Sequence, residues 1–152
     1  MEVYMDNDKP VSVLKKVIET ARDGEKGFRE AAEHFKSPEL RTMAQRVSAE
    51  RAEFARELEP ELRAEGKDEK IEGSTAGALH RAWVDIKTAL GGGDQTILDW
   101  LEQGEDYAKK TYGEALQASL PSAAQLIVRR QYDRIVNTHD QVKRLRDQNR
   151  AA

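Results

Sequence analysis

The chain contains no cysteine, which excludes disulfide staples, thiolate nucleophiles and cysteine-based metal sites together. Only four of its 152 residues are proline and aromatic residues make up 6%, so neither a proline-rich linker nor an aromatic recognition surface defines it. No apolar run approaches the roughly 18 residues of a membrane span. The formal net charge is −3, which offers no positive field for nucleic acid or anionic lipid. The first residues, Met1 to Asp6, lack a basic stretch followed by an apolar one, so no secretory signal is read there and a cytoplasmic setting is expected.

What is present is charge and helical periodicity. Charged residues are 35% of the chain and hydrophobic residues 38%, the balance of a helical protein with many surface ion pairs. Residues 1–9 read as a flexible N-terminus and residues 10–150 as a single domain. The first long helix is expected from Asp8 and Pro10, with the seam Val11, Leu14, Ile18, Ala21, Glu25, Phe28, Ala32 and Phe35 at alternating three- and four-residue steps. Ser37 and Pro38 end it and cap the second helix, which runs to about Ala64 with Leu40, Met43, Val47, Glu50, Phe54, Leu58 and Leu62 inward. Residues 65–93 read as a long connection containing a short helix, Ala76 to Leu90, ended by Gly91, Gly92 and Gly93. A third long helix starts with Asp94 as its cap and carries Ile97, Leu98, Leu101, Glu105, Ala108, Tyr112 and Leu116. After Leu120-Pro121, Ser122 and Gln125 form a candidate capping box for a fourth helix to about Asp147, with Gln131 on its inner face. The predicted fold is all-α: a four-helix bundle of two helical hairpins joined by a long crossover.

Each seam therefore holds one polar residue: Glu25, Glu50, Glu105 and Gln131. Glu25 and Glu50 are equidistant from the Ser37-Pro38 turn, which puts them level across the first hairpin. Glu105 and Gln131 are staggered by about four residues, roughly 6 Å along the axis. Glu53 lies one turn from Glu50 and can lean into the same layer. Several buried carboxylates cannot all remain ionised without cations. Two solutions are open at this stage: a hard or borderline metal ion, or arginines such as Arg22, Arg51, Arg130 and Arg134 neutralising a structural polar layer.

The chain resembles the ferritin-like superfamily, and within it small uncharacterised bacterial four-helix-bundle proteins that form a domain-of-unknown-function family. The resemblance lies in Asp23-Gly24-Glu25-Lys26-Gly27-Phe28, Glu50-Arg51-Ala52-Glu53-Phe54, Gly77-Ala78-Leu79-His80-Arg81-Ala82-Trp83 and Gly104-Glu105. It implies a di-metal centre of iron or manganese held by Glu25, Glu50, Glu53, Glu105 and Gln131, and a stress-related metal-oxidising role. The pattern departs from that of ferritins at Glu53, where they carry histidine, and at Arg134, three residues beyond Gln131. The alternative is a non-enzymatic structural or interaction bundle with a degenerate site. A homodimer is the expected partner; no nucleic acid or membrane is. His34, His80 and His139 read as packing or surface residues, and Trp83 and Trp100 as packing anchors or an oligomer contact.

Overall fold

The computed structural model describes residues 9–73 and 93–151. Four long helices carry it: α1 (Pro10–His34), α2 (Pro38–Ala64), α3 (Asp94–Gln117) and α4 (Ser122–Ala151). The predicted helix at Ala76 to Leu90, with His80 and Trp83, lies outside the described residues, as do Asp8 and the rest of the N-terminal segment before Lys9.

Proline opens α1 and α2, where its fixed φ suits a first turn and its missing N–H removes nothing. Ser37 caps α2 through its hydroxyl, which accepts from the Leu40 N–H at 3.3 Å. Asp94 does something other than cap its own helix. The N-cap of α3 is Gly93, and the Asp94 carboxylate instead accepts from the backbone N–H groups of Lys36 (2.7 Å) and Ser37 (3.1 Å). Helix α4 starts at Ser122 itself, with the Pro121 carbonyl accepting from the Gln125 N–H, and continues past Asp147 to Ala151.

The Asp94 contact places the start of α3 beside the α1–α2 turn. Helix α3 therefore runs parallel to α2 and antiparallel to both α1 and α4. Helix α1 packs on α2 and α3, and α4 packs on α3 and α2, so α2 and α3 face each other across the diagonal of the square. A chain laid out this way must travel back along the whole bundle between α2 and α3. The return begins along α1: Glu69 pairs with Lys15 at 3.3 Å, Ile71 is buried in the core, and Gly73 adopts φ +127° beside Asp23. A Cβ at Gly73 would lie 2.8 Å from Asp23 Oδ1, so both the conformation and the space demand glycine.

The buried apolar residues fall into two clusters. One, at the lower end, includes Leu14, Ile18, Phe54, Leu58, Tyr112 and Val128. The other, at the end holding the α1–α2 turn, includes Phe28, Phe35, Met43, Val47, Leu98 and Val142. On α2 the changeover falls between Val47 and Phe54, and on α3 between Leu101 and Ala108. Polar side chains occupy that interval.

The Asp94 bridge yields the first expected outcome. Replacing Asp94 with alanine leaves two N–H groups at the turn without their charged acceptor and should destabilise the fold by about 1.5–3 kcal/mol, measured by urea denaturation. Asp94→Asn should recover part of that loss, since its amide oxygen can still accept.

Candidate functional site

The interval between the clusters is bridged by a single ion pair across the diagonal. Arg51 of α2 donates to Glu105 of α3 through both terminal nitrogens, Nη1 to Oε1 at 2.8 Å and Nη2 to Oε2 at 2.6 Å. The two side chains are 1% and 2% exposed. This is the bidentate fork that only a guanidinium offers a carboxylate. The Phe28 ring lies over the guanidinium, 5.4 Å from Cζ to the centroid. Gly24 of α1 makes room for it: a Cβ there would come within 2.9 Å of Arg51 Nη1 and 3.3 Å of Cγ. Burial disfavours the charged guanidinium, but the charge and hydrogen bonds of Glu105 outweigh that and hold its pKa above the ordinary value. Arg51 Nε finds no partner, the one such buried side-chain atom among the described residues.

Position 51, not 50, is the inward one on α2. The buried path runs Val47, Arg51, Ala55, Leu58, Leu62, a four-residue step where the expected seam takes three. A 3.6-residue period brings both positions near the seam, and the guanidinium, which can meet Glu105, turns in. Glu50 turns to the α2–α4 edge, where Arg134 donates to it through Nε at 2.9 Å and also through Nη2. Glu25 is partly buried on the α1 flank, held by Arg22 at 2.9 Å and Arg29 at 3.6 Å. Glu53 is 57% exposed and pairs with Arg56 on its own helix.

Gln131 is fully buried, but below the ion-pair level. Its amide oxygen accepts from the Tyr112 hydroxyl at 2.6 Å, and its nitrogen donates to the Phe54 carbonyl at 3.2 Å and to Glu57 at 2.8 Å. Burial pushes the Tyr112 phenol up from its usual value near 10. On α4, the residues between the two clusters are Thr138 and His139, about two helical turns beyond Gln131. Glu105 is thus level with His139, and its offset from Gln131 is about two helical turns, roughly 11 Å, instead of the four residues expected.

Of the five residues expected to share a site, Glu105 alone enters the central layer. Glu25, Glu50 and Glu53 leave on different flanks with separate arginines, and Gln131 belongs to a network with Tyr112. The donor set does not fit a di-metal centre: both oxygens of Glu105 face a permanently charged guanidinium, and the other carboxylates do not converge on it. Two features escaped the sequence reading. One is a cleft of about 280 Å³ between α1 and α3, whose walls include Gly24, Gly27, Phe28, Trp100, Arg51 and Glu105. The other is a surface group of Glu102, Asp106 and His139, whose ligand atoms lie within 4.8 Å of one another. The i, i+4 spacing of Glu102 and Asp106 was available as a signal, but the height of His139 opposite them was not.

Breaking the central pair should be far more harmful than replacing it. Arg51→Met alone leaves a buried carboxylate uncompensated and should reduce stability by about 3–5 kcal/mol, while Arg51→Met combined with Glu105→Leu should recover most of that. Chemical denaturation of these two variants, of Glu105→Leu alone and of the wild type closes the cycle. The Tyr112 phenol gives a pH signature. Its folded-state pKa is raised, so its contribution is complete below the unfolded value near 10 and is lost as pH climbs above it. Stability measured from pH 9 to 11.5 should fall, with a shallower slope in Tyr112→Phe.

No curated protein matches the chain significantly. A family profile, the domain of unknown function DUF2383, matches residues 9–118, which covers α1, α2, the crossover and all of α3. The chain is a member of the DUF2383 family.

Proposed function

We propose that this chain is a ferritin-like bundle whose interior has exchanged a metal centre for an internal ion pair, and that it works as a non-enzymatic structural or interaction protein. The observation that carries the reading is the bidentate Arg51–Glu105 pair at the level where a carboxylate layer was expected. The up-down-down-up order with one long crossover supports the ferritin-like part, since that connection distinguishes such folds from simple up-down bundles. The absence of convergence among Glu25, Glu50 and Glu105 supports the non-enzymatic part. A redox centre needs ligands that a metal can share; here each carboxylate meets an arginine. Buried charge of this kind adds little net stability, and its best-attested use is to fix register. The pair does that between two helices that face each other across the diagonal. Iron or manganese oxidation in a stress role remains the reading drawn from resemblance alone.

The deciding experiment is an anaerobic titration with ferrous iron followed by oxygen, on the wild type and on Glu105→Gln and Glu25→Gln. The expected result is iron uptake unaffected by either change, oxidation no faster than in buffer, and a lowered melting temperature for Glu105→Gln. Uptake of about two ions per chain, lost in Glu105→Gln or Glu25→Gln together with rapid oxidation, would restore the interior metal site.

A further inference from the structure

A second set of ionisable groups lies on the α3–α4 seam, two of them at its surface edge and the third, His139, buried. Glu102 and Asp106 are one helical turn apart on the same face of α3, and His139 of α4 comes between them. The backbone and ring of His139 are 7% exposed as a residue, so its orientation is set by packing. Both ring nitrogens are engaged by carboxylates: Nδ1 lies 3.2 Å from Asp140 Oδ1, and Nε2 lies 2.6 Å from Asp106 Oδ1. An imidazole held this way has two options. It can donate both N–H groups, or it can donate Nδ1–H to Asp140 and give the Nε2 lone pair to a cation shared with Asp106. The second is the carboxylate–histidine–metal arrangement, in which the outer carboxylate fixes the tautomer and makes the ring a better ligand.

We propose that Glu102, Asp106 and His139 form a site for a divalent transition-metal ion, of the zinc type, that clips α3 to α4. One imidazole nitrogen and two carboxylates from two helices make a mixed nitrogen and oxygen donor set, which suits borderline ions better than calcium or magnesium. Asp106 is 62% exposed and free to swing outward, so the 2.6 Å contact can open to admit an ion with bonds of about 2.1 Å. A ligating imidazole nitrogen must present its lone pair, so any proton on Nε2 leaves to solvent as the ion enters. Glu102 also pairs with the Arg146 guanidinium through Oε1, and a carboxylate has a second oxygen with which to bind an ion. Three protein ligands leave the remaining positions to water. The site is independent of the interior pair: it would stand if Glu105 bound iron, and it would fall without touching the reading of Arg51.

The test is calorimetric titration of metal-free full-length protein with zinc chloride, with cobalt(II) absorption as a report on the ligand field. Wild type should bind at Asp106 and His139, with affinity at least tenfold weaker in His139→Gln and in Asp106→Asn. Asp106→Asn changes an exposed side chain, so it keeps the test valid if His139→Gln folds poorly. Saturating zinc should raise the melting temperature of the wild type and not of Asp106→Asn. His34→Gln is the control, because His34 with Glu30 and Glu33 forms the other histidine–carboxylate group among the described residues. Identical isotherms for wild type, His139→Gln and Asp106→Asn, or loss of binding only in His34→Gln, would overturn the proposal. So would no binding at all, which would mean that the ring simply donates to both carboxylates.

Discussion

Everything at the centre of this bundle depends on one buried guanidinium meeting one buried carboxylate. Alone, either charge would be among the costliest groups a helical core can contain, by several kcal/mol even after relaxation. Together they are tolerable, because two parallel hydrogen bonds satisfy most of what each has lost from water. The surrounding residues follow from this requirement. Gly24 is small because the arginine passes it, Phe28 offers a ring face to the cation, and the apolar core divides above and below. The divided core is the consequence of the pair, rather than a background into which the pair was inserted.

Most of the architecture was legible from periodicity. Alternating three- and four-residue steps located all four long helices, and Ser37-Pro38 and Leu120-Pro121 marked both tight turns within a residue or two of their positions. The ends were less legible. Asp94 has the chemistry of a cap and stands at the start of a helix, yet it serves the backbone of a different turn, a contact 58 residues away that local sequence cannot encode. Helix α4 overshoots its expected end because a solvated last turn needs no core beneath it.

The candidate site was legible in composition but not in direction. Charges in the seam were correctly taken as a sign that the interior holds a polar layer, and arginine was already one of two ways to neutralise it. Which residue faces inward at adjacent positions such as Glu50 and Arg51 is decided by a rotation of about 100° about the helix axis, and periodicity blurs that angle over a long seam. Gln131 and His139 illustrate the same limit along the axis. Both lie on the inner side of α4, and only the packed heights show that His139 is level with the ion pair while Gln131 serves Tyr112. A family resemblance sharpens this difficulty, since it supplies ligand positions without supplying the rotations that make them ligands.

The diagonal course of the Arg51–Glu105 pair also bears on the order of events during folding. Contacts within α1–α2 and within α3–α4 are local in sequence and can form early, as hairpins of low contact order. The pair joins one hairpin to the other, across 54 residues and through the middle, and can close only when both have docked and expelled water. Interactions that arrive after the rate-limiting step do not hasten folding; they lengthen the lifetime of what has already folded. In that light the buried charges act less as a scaffold for assembly than as a latch, and the measure of such a latch is how slowly the bundle comes apart.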